Sequence, residues 1–306
     1  MSTCVVLRAI GLGDMVTGLP ALALLRRRLP GWRVVLGAPE RFAEVLCGSG
    51  LVDDVVPVEH LDHVAGLPAR PDLAVDLHGN GPASKHPLLA LGPARTIGFA
   101  RPGDGPAADR SVWDDDEHEV DRWCRLVAEQ LGGPATPPPL EGLLPVPPPV
   151  RPGSTVVHPG AASRSRRWPA ERWSAVADAL RGAGHRVVVT GTAEERSLVD
   201  TVADGAPALV DLSVQELCGL VAAARLVLSG DTGTAHVAAV FGTPSVVLSG
   251  PVSPRRWGPP VHPRHRVLWP ADDPGYRGDP HGTEVDPVLL RTTVRDVLAA
   301  AAEVAA

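Results

Sequence analysis

Three short polar stretches hold the residues whose types and spacing can do chemistry. The first is Ser229-Gly230-Asp231-Thr232-Gly233-Thr234, lying between an apolar run (226–228) and an apolar segment (234–241). A turn between strand and helix offers backbone N–H groups, here joined by two hydroxyls, and favours a phosphate. The local alternative makes Asp231 or Thr232 a helix cap and Gly233 a tight-turn residue. The second stretch, 163–167, supplies Ser163, Arg164, Arg166 and Arg167, and guanidinium groups match phosphate oxygens well. Together the two read as a diphosphate seat, able to neutralise a leaving group without a metal. Solvated surface arginines are the competing reading. The third stretch is Gly11-Leu12-Gly13-Asp14. Asp14, a carboxylate beside a backbone turn, is a candidate general base for a hydroxyl nucleophile. Asp76 and His78 are its rivals. His78 opens a glycine-rich loop, His78-Gly79-Asn80-Gly81, followed by Ser84 and Lys85. The Gly-Leu-Gly turn also matches two glycines of a dinucleotide fingerprint, but the third position is Val16.

These stretches require elements to hold them. Residues 3–10 read as a buried strand and 15–29 as a helix, in which Pro20 predicts a kink or a late start. Further strands are predicted at 33–37, 54–58, 73–77 and 96–99. Residues 113–131 carry helical periodicity with an acidic first turn, Asp114 to Glu117, which suits the helix dipole better than a metal ion. Residues 134–152 include nine prolines, a density no helix or strand interior tolerates, and read as a semi-rigid linker. The alternation then repeats. Strands are predicted at 155–158, 186–190 and 208–211. Helices are predicted at 170–181, 193–203 and 213–224, the last opened by a Ser213/Glu216 capping box. Residues 226–248 have the strand–turn–helix–turn–strand form of a parallel crossover. A Pro- and Arg-rich segment follows, then a helix over 287–304. The expected fold is α/β: two doubly wound Rossmann-like domains, 1–133 and 153–285, joined by the linker 134–152. They face each other across a cleft lined by the polar loops, with residues 286–306 a C-terminal helix at the junction.

The 306-residue composition is that of a globular chain, 44% hydrophobic and 21% charged. A formal charge of −6 and a single lysine, Lys85, give no reason to expect nucleic acid or an anionic membrane as partner. The four cysteines lack metal or redox spacing, and free thiols fit a reducing cytoplasm. The first apolar run is too short for a signal peptide, and no stretch is long enough to span a membrane. A cytoplasmic monomer is expected.

Four segments resemble glycosyltransferase family 9, the heptosyltransferase-like enzymes of the GT-B fold, in matching order over nearly the whole chain. RAIGLGDMVTGLPAL resembles the opening strand and GD turn. HPGAASRSRRWPAERW resembles the phosphate-side loop ending in Lys-x-Trp-Pro. SGDTGTAHVAAVFGTPSVVLSGP resembles the D-T-G-x-x-H signature, and PHGTEVDPVLL the segment before the final helix. The resemblance implies an inverting glycosyltransferase with Asp14 as base and an ADP-sugar, usually ADP-heptose, as donor. It places the donor diphosphate on Ser163, Arg166, Asp231, Thr232, Gly233 and Thr234, with His236 nearby. Arg166 stands where the family has Lys, which keeps the charge and changes the geometry. A ribose-binding Glu falls at Glu194 or Glu195, and Thr190 and Gly191 join it on the nucleoside side. Gly13, His78, Asn80 and Lys85 fall on the acceptor side. No cofactor or metal is required. The partners implied are the nucleotide sugar and a hydroxyl acceptor on a lipopolysaccharide core, another cell-wall glycan or a natural product. The alternatives are a nucleotide-sugar epimerase of the same fold, a dinucleotide oxidoreductase, and a non-catalytic nucleotide-sugar-binding protein.

Overall fold

A computed structural model describes residues 1–62, 64–100 and 111–305. The chain divides into two compact units, Met1–Pro145 and Val146–Ala306, and the division falls inside the proline-rich stretch. Among the described residues, none from 132 to 154 lies in a helix or strand.

The first unit runs β1 (Thr3–Leu7), α1 (Leu12–Arg28), β2 (Arg33–Ala38), α2 (Ala43–Cys47), β3 (Asp54–Pro57), β4 (Leu73–Asp76), α3 (Pro82–Ala90), β5 (Arg95–Ile97) and α4 (Glu119–Leu131). Its five strands are parallel, in the order β3-β2-β1-β4-β5. β1 and β4 are covered on both faces, which is why they read as continuous apolar runs rather than alternating ones. The chain builds outward from β1 to β3, then returns to place β4 on the other side of β1. The border of β1 and β4 is therefore the topological switch point, where loops at strand carboxyl ends diverge and leave a crevice.

Two predictions for this unit need correction. α1 begins at Leu12, not at 15, and carries Pro20 in its interior. Residues from Met15 to Leu25 are buried, so packing on nearly every side outweighs the backbone hydrogen bond that proline cannot make. The acidic run precedes α4 instead of forming its first turn, and the cap is His118, which accepts from the Val120 N–H. Asp115 accepts from the Trp113 indole at 2.7 Å and Glu117 pairs with Arg125 at 2.8 Å.

The second unit runs β6 (Thr155–His158), α5 (Ala170–Gly182), β7 (Val187–Gly191), α6 (Arg196–Ala203), β8 (Ala208–Val210), α7 (Val214–Ala222), β9 (Leu226–Gly230), α8 (Gly233–Val240), β10 (Ser245–Leu248), β11 (His265–Leu268), α9 (Pro287–Arg291) and α10 (Val294–Ala305). Its parallel order is β11-β10-β9-β6-β7-β8. The same logic puts this switch point between β6 and β9. The Ser213/Glu216 capping box is present and opens α7.

β11 lies inside the Pro- and Arg-rich segment and was not predicted; it is a short edge strand paired only with β10. The single helix expected over 287–304 is two helices. Between them the Thr292 carbonyl accepts from the Trp168 indole at 3.1 Å and from Arg172 at 2.9 Å, and Thr293 and Asp296 reciprocally cap the restart. Both helices contribute to the unit's core: Leu289, Val297, Ala300 and Ala301 share a cluster with Val157, Val189, Leu228 and Val246 of the strands. Trp168 and Trp173 meet edge to face at 5.1 Å in the same cluster.

Candidate active site

In the second unit the two loops at the switch point are the arginine loop, after β6, and the Asp231–Thr234 turn, after β9. They touch. Arg166 Nη1 donates to the Asp231 carbonyl at 3.3 Å, and a side-chain carbon at Gly230 would lie 3.2 Å from the Arg166 carbonyl oxygen. Asp231, Thr234 and His236 are buried, and the His236 ring lies against Trp257, centroids 4.8 Å apart. Thr232 occupies the cap position of α8, yet makes no side-chain capping bond. Among the described residues, the buried Ser165 Oγ, Arg166 Nε, Ser229 Oγ and Thr232 Oγ1 around this junction have no hydrogen-bond partner. Buried polar groups are normally satisfied. A cluster of orphans at a helix N-terminus fits an anion with several acceptor oxygens.

The three arginines part company. Arg164 is exposed, and Arg167 Nε donates to the Ala161 carbonyl at 2.7 Å, bracing its own loop. Arg166 bonds to the turn. Ser163 sits ahead of the short 3-10 turn Arg164–Arg166, and its carbonyl accepts from the Arg166 N–H at 3.1 Å. The segment before α9 holds the loop from the far side. The Ser165 N–H donates to the Gly282 carbonyl and the Asp286 N–H to the Ser165 carbonyl, both at 3.1 Å. Asp286 in turn caps α9 and accepts from the Tyr276 hydroxyl at 2.9 Å.

The nucleoside-side residues lie at the end of β7. Thr190 is buried, its hydroxyl 2.9 Å from His158 Nδ1. Burial holds the His158 imidazole below its ordinary range, opposed by the charge of Glu195. The structure separates the two glutamates. Glu194 is exposed, whereas Glu195 is buried and closes a capping box with Thr192, accepting its N–H at 3.0 Å. The Glu195 carboxylate lies directly under Gly160, where any side chain would overlap it, and close to Gly191. The predicted helix 193–203 is accordingly a 3-10 turn, Ala193–Glu195, running into α6.

In the first unit the switch-point loops are the Gly11–Asp14 turn, after β1, and the His78–Gly81 loop, after β4. Asp14 is half-buried in the first turn of α1, beside the buried Gly13, and its carboxylate approaches Gly11. Asp76 is buried and accepts from Ser84 Oγ at 2.7 Å and from the His78 N–H at 3.0 Å. Burial raises its pKa, opposed by those bonds and by the charge of Lys85. His78 is pulled below its ordinary range by burial and then by Arg8. Its Nδ1 is buried without a partner. Asn80 is half-buried in the same loop. Among the described residues no group of three or more His, Cys, Asp or Glu is placed to hold a metal ion, and no helix is long and apolar enough to cross a membrane.

Several residues of these sites escaped sequence reasoning. Arg8 follows an apolar strand and is fully buried between the two loops of the first unit. A charged residue at the exit of so apolar a strand, and Gly18 inside a helix, were the available signals. His158 and Ser229 are paired across β6 and β9, an adjacency that only the sheet order creates.

Two parallel α/β units with polar loops at both switch points have the architecture of the GT-B fold. Escherichia coli ADP-heptose lps heptosyltransferase II has the same fold, with a TM-score of 0.80 at 22% identity over 100% of this chain and 98% of that one. An E. coli heptosyltransferase solved with ADP-2-deoxy-2-fluoro heptose gives a TM-score of 0.71 at 20% identity, covering 97% and 98%. In sequence, lipopolysaccharide heptosyltransferase 1 of E. coli (strain K12) is 23% identical, aligned over 81% of this chain and 88% of that protein. The model for glycosyltransferase family 9 (heptosyltransferase) matches residues 96–275, more than half of the chain. The chain belongs to that family and is a glycosyltransferase.

Proposed function

We propose that this enzyme transfers a heptose from ADP-heptose to a hydroxyl acceptor on a glycan, glycolipid or natural product, with inversion at the anomeric carbon. The observation that carries the reading is the set of buried, unpartnered polar atoms around Arg166 and the α8 N-terminus. It supports a diphosphate seat on Ser163, Arg166, Asp231, Thr232, Gly233 and Thr234. The names of the relatives, which speak of ADP-heptose and of lipopolysaccharide, suggest the donor and one acceptor class. Glu194 and Glu195, with Thr190 and Gly191, form the nucleoside side, and the Thr190 hydroxyl lies 2.9 Å from His158 Nδ1.

In the proposed step the Asp14 carboxylate takes the proton of the acceptor hydroxyl. The freed oxygen forms its bond to the anomeric carbon as the carbon–oxygen bond to the β-phosphate breaks, and ADP leaves with that electron pair. Arg166 and the N–H groups of α8 stabilise the charge that grows on the diphosphate. Asp14 is taken as the base because the Gly11–Asp14 turn resembles the family's GD turn and Asp14 stands half-buried in the first turn of α1 at the switch point.

The test has two arms. Calorimetry should show ADP binding in preference to UDP, GDP and dTDP, and a clear preference for another nucleotide would overturn the donor. Release of ADP from ADP-heptose, measured with heptose-deficient lipopolysaccharide and a panel of cell-wall glycans, identifies the acceptor. Asp14→Asn should retain ADP binding and lose transfer by a factor of about 10³ or more; unchanged transfer would remove Asp14 as the base.

A further inference from the structure

We infer that Arg8 is the positioning residue of the acceptor-side site: one fully buried guanidinium ties the Asp14 turn to the His78 loop and holds the base in place. The inference rests on the reading of Asp14 as base. Arg8 leaves β1 at the switch point and is completely shielded from solvent. Its Nε donates to the Asp14 carbonyl at 2.6 Å, and its Nη2 reaches the same oxygen. The fork thus clamps the first turn of α1 at the residue that carries the carboxylate. Nη1 donates to the Leu77 carbonyl, the last residue before the His78 loop. Nη2 also meets Thr17 Oγ1 at 3.2 Å, and that hydroxyl donates to the Asp14 carbonyl at 3.0 Å.

A cation this deep is costly unless it is paired and hydrogen-bonded. The third attachment supplies the pairing. Glu119 of α4 lies 3.5 Å from Nη2, and the guanidinium stacks 5.1 Å from the centroid of Trp123. Glu119 is itself held by Arg122 at 2.7 Å. The charges of Asp14 and Asp76 also act on Arg8. Three elements that meet nowhere in sequence are therefore joined at one side chain: α1, the exit of β4, and α4. The fold makes room for it. A side chain at Gly18 would overlap Arg8 Nε and lie 2.7 Å from its Cδ, which gives a glycine inside α1 a steric reason.

The geometry explains why an arginine is required. Lysine would keep the charge, but a single ammonium cannot hold two carbonyls and a hydroxyl on separate elements in a planar fork. Displacing a reacting group by about 1 Å can cost on the order of 10²-fold in rate. The effect should fall on turnover and spare donor binding, whose residues lie in the other unit.

Two variants disturb the clamp in different ways: Arg8→Lys removes the fork, and Gly18→Ala displaces it while keeping the guanidinium. Each should lower kcat for ADP release from ADP-heptose about 10- to 100-fold, with heptose-deficient lipopolysaccharide or water as acceptor. ADP affinity by calorimetry should stay within about twofold. In an Asp14→Asn background Arg8→Lys should add little, because a residue acting through Asp14 has nothing left to position. An inactive Asp14→Asn beside a fully active Arg8→Lys would overturn the role of Arg8 alone. An active Asp14→Asn would overturn the base. Multiplying losses in the double variant would make Arg8 merely structural and refute the inference. Amide exchange tests the clamp independently of turnover: protection of residues 12–18 and 77–81 should fall together in Arg8→Lys, and unchanged protection of both would overturn it.

Discussion

Arg166 provides the most direct test of the diphosphate seat. Arg166→Met removes the charge and keeps the apolar stem. Its bond to the Asp231 carbonyl is long, at 3.3 Å, and Nε has no partner. The side chain therefore contributes little to folding, and stability should change by less than about 1 kcal/mol. On a diphosphate the same guanidinium can make two charge-assisted bonds of about 1.5–3 kcal/mol each. One such bond present in the ground state corresponds to a fall in ADP affinity of about 10- to 150-fold. Charge grows on the diphosphate as ADP departs, so the loss at the transition state is larger, about 3–4 kcal/mol or 10²- to 10³-fold in kcat/KM. Arg166→Lys retains the charge without the fork and should lose about tenfold. Calorimetry with ADP, steady-state ADP release and a melting curve for each variant measure the three quantities separately. An Arg166→Met protein that binds ADP and turns over within twofold of wild type would refute the reasoning, since the arginine would then be a solvated loop residue.

Two further outcomes follow from the nucleoside side. His158 is held below its ordinary pKa by burial. Its stabilisation is therefore full above the unfolded value of about 6.5 and is lost as pH falls from there toward the folded value. His78 and His185 shift in the same direction. Melting temperature should fall on acidification from pH 7.5 to 5, and His158→Gln should flatten part of that slope; an unchanged slope would show that His158 titrates freely. Gly160→Ala places a methyl group on the Glu195 carboxylate. The carboxylate must leave the Thr192 N–H, a charge-assisted bond worth about 1.5–3 kcal/mol, so the melting temperature should drop and ADP binding should weaken. Wild-type values for both would show that Glu195 can move aside without cost.

The parts of this protein legible in its sequence are those set by local rules. Apolar runs ending in Gly, Ser and Asp gave the positions of β1, β6 and β9, because strands covered on both faces need no alternation. The capping box at Ser213 is local chemistry within four residues, and it is present. The proline density at 134–152 excludes helix and strand for reasons of backbone geometry alone. The motifs, in order, identified the family and the two loops of each unit. Misreadings arose where packing outweighed local preference: Pro20 sits inside a buried helix, β11 exists only because β10 offers an edge, and the break at Thr292 depends on Trp168 and Arg172, more than a hundred residues earlier. What only the tertiary structure decided is what each of the chemically able residues meets. Three arginines in one loop look equivalent in sequence, yet Arg166 bonds to the Asp231 turn, Arg167 to its own loop, and Arg164 is exposed. Asp14, Asp76 and His78 are equal candidates in sequence, whereas in the fold Asp76 accepts from Ser84 and the His78 N–H, and burial with Arg8 lowers the pKa of His78. Arg8 itself, unremarked in the one-dimensional pattern, becomes central. The physical reason is that availability depends on desolvation and on partners brought from distant elements, and neither quantity is carried by a residue's own type or spacing.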